Sequence, residues 1–163
     1  MRSSGSTLLV MIFCLGIACW EAVADPGVDA DGSKRPRIAI IIDDLGYDKE
    51  LARRVFSLNL PLTIAIIPCA PCASSIDAEA RARGYETIAH IPMEPKNFPK
   101  TDPGPGALML YMEREAIEGT LSMNLMRVPG AGGASNHMGS AFTESYEKME
   151  PVLRSLKRKG MFF

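Results

Sequence analysis

The sequence predicts an α/β fold built on parallel β/α repeats. Three observations carry that expectation. Apolar, β-branched runs recur along the chain, amphipathic segments alternate with them, and the residues able to do chemistry fall at the ends of those runs. A run that is apolar at every position suits a strand covered on both faces, which is the situation in a parallel sheet.

In chain order, residues 37–42 ("RIAIII") read as the first buried strand. Residues 48–58 read as a helix with Leu51, Val55 and Leu58 on one face. Residues 61–68 ("PLTIAIIP") give a second buried strand. Residues 74–84 form a helix with Ser74 or Ser75 as N-cap and Gly84 as stop. Residues 85–90 ("YETIAH") are the third strand. The following loop, residues 91–107, carries five prolines. Residues 113–128 predict a helix burying Ile117, Leu121, Leu125 and Val128. "GAGGAS" then leads into "NHMGS", a short Gly-rich fourth strand and its loop. Residues 143–160 are a fourth helix despite Pro151, and "MFF" reads as the first half of a fifth strand. From this the chain is expected to lack C-terminal strands. The rhythm fits a sheet that is open or closed into a barrel.

The N-terminus has the grammar of export. Arg2 precedes an apolar run from Leu8 to Trp20, and Ala22-Val23-Ala24 supplies small residues for cleavage before Asp25. The run is shorter than the ~20 residues of a membrane span, so no stable span is expected after cleavage; an uncleaved anchor is the lesser alternative. A lipid-attachment reading at Cys19 is weaker still, with Gly16 where a large aliphatic residue is usual. Residues 1–24 are thus read as a signal peptide, 25–36 as a polar linker, and 37–163 as one domain. The expected location is the periplasm or cell envelope. Charge is nearly balanced, 18 Lys+Arg against 19 Asp+Glu, with no basic stripe, which excludes nucleic acid as the expected partner. Oligomeric state is left open.

Asp43 and Asp44 end the first strand, His90 ends the third, and His137 follows the fourth. Parallel α/β folds gather their chemistry at the carboxyl ends of strands. The chain's two histidines and a carboxylate pair on that rim make a candidate site for Zn²⁺ or a similar divalent metal. Taken singly, each residue has a plainer role: an aspartate after a strand forms Asx-turns or caps a helix, and a histidine bonds a carbonyl. The coincidence of four favours the site. Glu94, four after His90 between Pro92 and Pro95, is a ligand, a partner to a histidine, or a solvated loop acid. Cys69 and Cys72, spaced C-A-P-C, allow a local disulfide or a reactive dithiol; Pro71 argues against thioredoxin-like chemistry. The stretches "GPG" and "PGAGG" lack the lysine and spacing of a phosphate loop and read as turns.

The stretches "IAIIIDDLGYD", "LTIAIIPCAP", "HIPMEP", "GPGAL" and "NHMGS" followed by Phe142-Thr143 resemble the divergent polysaccharide deacetylase family of bacterial envelope proteins, from Arg37 to the last residue. That resemblance implies a distorted (β/α) barrel and a divalent metal, commonly zinc. It implies Asp43 as general base and Asp44 as metal ligand. The wider superfamily takes two further ligands from His-x-x-x-His. Here Glu94 stands four after His90, so the second imidazole is His137, or Glu94 substitutes for it; His137 is preferred because neutral imidazole suits zinc. A histidine general acid is also usual, and none remains once both histidines are ligands; Glu94 or a segment beyond this chain is left for that role, unless the chain has no such acid. The implied activity is metal-assisted removal of N-acetyl groups from an envelope carbohydrate. The competing expectation is a non-catalytic glycan- or protein-binding envelope protein that keeps the fold.

Overall fold

A computed structural model describes residues 38–163; the expected signal peptide and linker lie outside the described residues. Four strands, β1 (Ile41–Leu45), β2 (Thr63–Ile66), β3 (Glu86–Met93) and β4 (Gly133–Met138), alternate with four helices, α1 (Lys49–Ser57), α2 (Ala73–Ala82), α3 (Arg114–Arg127) and α4 (Tyr146–Arg158). A short 3₁₀ turn, Phe142–Glu144, precedes α4. All strands pair in parallel, in the order β1-β2-β3-β4. This is the α/β architecture the alternation predicts, with the strands in chain order as the staves of a barrel would be. Phe162 continues it, bridging in parallel to Gly133 while Ala134 N–H donates to the Phe162 carbonyl at 2.9 Å.

Two apolar clusters hold the sheet to its helices. Ile91, Met93 and Leu108 meet Ile117, Leu121, Phe142, Val152 and Leu156. Leu45, Ile64 and Ile66 meet Phe56, Ile76 and Val128. Full burial of each large side chain contributes about 1.5–3 kcal/mol. The α3 face is the one expected, with Ile117, Leu121, Leu125 and Val128 all buried.

Several boundaries and faces differ from the sequence expectation. β1 is not covered on both faces: Ile38, Ile40 and Ile41 are exposed, and Leu45 is its one buried residue. It is paired on one side only among the described residues. α1 packs through Ala52 and Phe56, one position on from the expected Leu51–Val55–Leu58 stripe, because Phe56 stacks on Tyr85 with centroids 5.3 Å apart. Asp48 caps α1, accepting from the N–H groups of Glu50 and Leu51. The cap residue of α2 is Cys72, not Ser74 or Ser75, whose hydroxyls donate to the carbonyls of Arg127 and Cys72. Gly84, at φ +81°, does end that helix region. β3 runs on through Pro92 to Met93, so His90 lies inside the strand; His137 lies inside β4. Pro151 sits buried within α4.

One buried acid went unforeseen. Asp77 on α2 accepts from the Thr87 hydroxyl at 2.9 Å and from Gly130 N–H at 3.1 Å, tying the helix to β3 and to the turn before β4. Among the described residues, Cys69 and Cys72 are free thiols rather than a local disulfide. Cys69 donates to Asn124 Oδ1 at 3.3 Å, and Cys72 to the Tyr47 carbonyl at 3.7 Å.

Candidate metal centre

The paired aspartates occupy a break in the β1–β2 register. Ile42 pairs with Ile64 and Leu45 with Ile66, so Asp43 and Asp44 together face the single residue Ala65. Two residues opposite one is a β-bulge, a device that re-aims a side chain beside a site. Asp44 itself has φ +62°, a left-handed conformation that Asp tolerates better than most residues because its short carboxyl bonds locally. The sequence motif is therefore a backbone instruction as well as a chemical one.

His90 comes from the middle of β3 and is 5% exposed. Its register partner on β4 is Ser135, and the two meet side chain to side chain, Nδ1 to Oγ at 2.8 Å. A hydroxyl accepting from Nδ1–H leaves the Nε2 lone pair free to ligate. His137 pairs with Pro92, two residues further along β4. Just beyond, Met138 (φ +56°) and Gly139 (φ +85°) turn the chain sharply, and Asn136 Nδ2 donates to the Met138 carbonyl at 2.7 Å. A Cβ on Gly139 would stand 2.9 Å from Met93 Cβ, so only glycine lets this turn lie against β3. A left-handed Met138 costs about 1–2 kcal/mol, strain of the kind held at functional sites.

These three strands bring Asp44, His90 and His137 to one point. Asp44 Oδ1 lies 2.8 Å from His137 Nδ1 and 3.2 Å from His90 Nε2. The rings stand edge to face, centroids 5.2 Å apart. One donor atom from each residue falls within 4.8 Å of the others. Two imidazoles and a carboxylate are a donor set suited to zinc. Burial holds His90 below the usual imidazole pKa, against the raising charge of Asp43; His137 adds to the depression and Asp44 opposes it. The outcome favours neutral imidazole, the form that binds metal.

The remaining expected residues are placed differently. Asp43 stands beside the cluster, near enough for its charge to act on His90. Glu94 is outside it: Glu94 Oε2 accepts from Leu110 N–H at 2.7 Å. Ser135 was not foreseen, since a serine in a run of small residues carries no signal until β3 and β4 are in register.

Comparison with known proteins points the same way. The sequence model of the divergent polysaccharide deacetylase family matches residues 40–163. An uncharacterized protein of Haemophilus influenzae is 33% identical over 127 residues, 78% of this chain and 45% of its own length. The uncharacterized protein YibQ of Escherichia coli is 31% identical over 127 residues, 78% of this chain and 39% of its own. The chain thus spans less than half the length of these curated relatives. A crystal structure of an uncharacterized protein from Agrobacterium tumefaciens superposes with a TM-score of 0.71 at 25% identity, covering 84% of this chain and 62% of that one.

Proposed function

The chain belongs to the divergent polysaccharide deacetylase family, and on that premise we propose that it is a metal-dependent hydrolase that removes N-acetyl groups from an envelope carbohydrate. The observation that carries the reading is the convergence of Asp44, His90 and His137 from three strands in a chain of this family. Their chemistry fits a divalent ion, and zinc suits two imidazoles with one carboxylate best. Such an ion, when bound, lowers the pKa of water toward ~7 and polarises a carbonyl.

The chain's own residues do the rest. Ser135 fixes the His90 ring and its tautomer. Asp43, next to the ligand carboxylate, takes the proton from water as the amide carbon is attacked. The backbone N–H groups of the Met138–Gly139 turn, which follows His137, are assigned in this reading to a developing oxyanion. Glu94, committed to Leu110 N–H, serves in this reading as a loop fastener rather than the general acid. The reading that the reaction takes place outside the cytoplasm rests on the Arg2–Ala24 pattern.

One observation favours a second reading. Both histidines of the chain sit in the cluster, so none of residues 1–163 supplies a further imidazole to protonate the departing amine. A glycan-binding protein that keeps the metal without turnover would look the same. The deciding experiment measures zinc content and acetate release from oligomers of N-acetylglucosamine, using Asp43→Asn, Asp44→Ala and His137→Ala. The hydrolase reading expects about one zinc per chain, lost in Asp44→Ala and His137→Ala. It expects acetate release that Asp43→Asn abolishes with its zinc retained. Zinc without acetate release favours the binding protein; a chain that takes up no metal overturns the centre.

A further inference from the structure

The C-A-P-C stretch has no part in the proposed reaction, yet it lies directly against the chain that follows Asp44. Three consecutive carbonyls there accept from the turn at residues 67–72. Ile67 N–H donates to the Leu45 carbonyl and Cys72 N–H to the Gly46 carbonyl, both at 2.8 Å, and the Cys72 thiol donates to the Tyr47 carbonyl at 3.7 Å. Packing closes the joint. A Cβ on Gly46, at φ +138°, would stand 2.7 Å from Ala70 Cβ and 3.0 Å from the Ile67 carbonyl oxygen, an approach only glycine permits. The turn therefore braces the residues that follow the bulge, and with them the backbone that aims Asp44 at the two histidines.

Cys69 ties the same turn to a second segment. Its thiol donates to Asn124 Oδ1 at 3.3 Å, and buried Asn124 donates to the Gly106 carbonyl at 2.8 Å. A Cβ on Gly106 would stand 2.5 Å from the Cys69 sulfur. In the reduced protein each S–H thus has its own acceptor, and the two acceptors belong to different parts of the chain. Both thiols are half-buried, so neither is sealed from an oxidant. Two turns follow one another here, Ala70 N–H donating to the Ile67 carbonyl and Ala73 N–H to the Ala70 carbonyl, both at 3.1 Å. Successive turns keep residues three apart close, as a disulfide requires.

We propose that Cys69 and Cys72 are a redox modification site: oxidation by a disulfide closes a bond between them and displaces the segment carrying Asp44. The chemistry is thiol–disulfide exchange. The thiolate of one cysteine attacks a sulfur of the oxidant, forming a mixed disulfide and releasing one thiol. The second cysteine, as thiolate, attacks the sulfur of the first, forming the Cys69–Cys72 bond and releasing the second thiol. Two electrons pass to the oxidant, and the two S–H protons end on the two thiols released. The bonded pair carries no S–H, so the contacts to Tyr47 and Asn124 are lost together. The new bond also draws in the turn that presents Cys72 N–H to Gly46. The effect on metal rests on the centre proposed above; closure of the sulfur–sulfur bond does not.

The test treats the full chain with glutathione disulfide, beside a variant carrying both Cys69→Ser and Cys72→Ser. Peptide mass mapping is expected to find Cys69 joined to Cys72 in wild type, and reduction to reverse it. Hydrogen exchange at the Cys72 amide is expected to quicken on oxidation. Zinc affinity is expected to fall roughly tenfold and to recover on reduction. The double variant keeps two O–H donors and is expected to bind zinc like reduced wild type, with or without oxidant. The proposal is overturned if the thiols stay free, or join only to glutathione or to another chain. It is also overturned if the bond forms and zinc is held equally in both forms, a result that leaves the metal centre standing. Faster Cys72 exchange on oxidation, with zinc taken up by neither form, upholds the redox site while the metal centre falls.

Discussion

Strands β3 and β1 belong to one sheet and each supplies a metal-ligand candidate, yet they are built in opposite ways. β3 is buried at seven of its eight residues, and His90 is clamped there between core and Ser135. β1 is buried only at Leu45, is broken by a bulge, and presents Asp44 with a side chain 64% exposed. The centre thus combines a fixed imidazole with an accessible carboxylate. The buried strand supplies orientation, which a ligand ring needs; the exposed one supplies charge where water and substrate can reach it.

The largest expected contrast lies in the strands themselves. Ile91→Ala in β3 should cost about 2–5 kcal/mol of stability by urea unfolding, since the site is fully buried and leaves a cavity. Equal costs for Ile91→Ala and Ile41→Ala would erase the distinction drawn here. Next comes the clamp. Ser135→Ala should weaken zinc affinity about 10–100-fold while the fold persists; an unchanged affinity would mean the His90 ring is held by packing alone. A smaller effect is expected from pH. Burial places the His90 pKa below 6.5 in the folded chain, so between that depressed value and 6.5 the unfolded chain binds more protons. This contribution to stability is complete above about 6.5 and is lost as pH falls through the folded value. Urea midpoints of the metal-free protein from pH 7.5 to 5 should show it, and His90→Gln should flatten the slope; identical slopes would remove His90 as the cause. The smallest effect is Ile41→Ala itself, expected within about 1 kcal/mol because the side chain is 48% exposed.

The contrast between the strands was only half visible in the sequence. Alternation of apolar runs and amphipathic segments was enough for four parallel strands and four helices, because period and run length are local properties. Asp44, His90 and His137 were legible as a group because strand-end residues in parallel sheets share a rim. What was not legible depends on neighbours. "RIAIII" reads as a covered strand, but covering is supplied by other elements, and β1 has a partner on one side among the described residues. In α1, Leu51 and Phe56 both lie on plausible apolar stripes; the position of Tyr85 decides between them. Ser135 and Asn124 acquire roles only once distant segments are brought together, 45 residues from His90 and 18 from Gly106.

The segment from Glu94 to Leu108 is a strap whose ends meet, Leu108 N–H donating to the Pro92 carbonyl and Glu94 N–H to the Leu108 carbonyl, and this has a consequence for how the scaffold can vary. Its fastenings use backbone groups of Pro92, Glu94, Lys96, Leu108, Ala141 and Phe142, together with side chains at the base. The hydrogen bonds of the tip, residues 99–105, stay within the strap: Lys100 and Thr101 N–H donate to the Asn97 carbonyl, Asn97 Nδ2 to the Thr101 hydroxyl, and Gly104 N–H to Asp102. Changes of length or composition at the tip are therefore expected to reshape the surface beside α3 while leaving the strands of the candidate centre where they are. A library randomised across residues 99–105 is expected to leave metal uptake constant, which would show that the tip and the candidate centre vary independently.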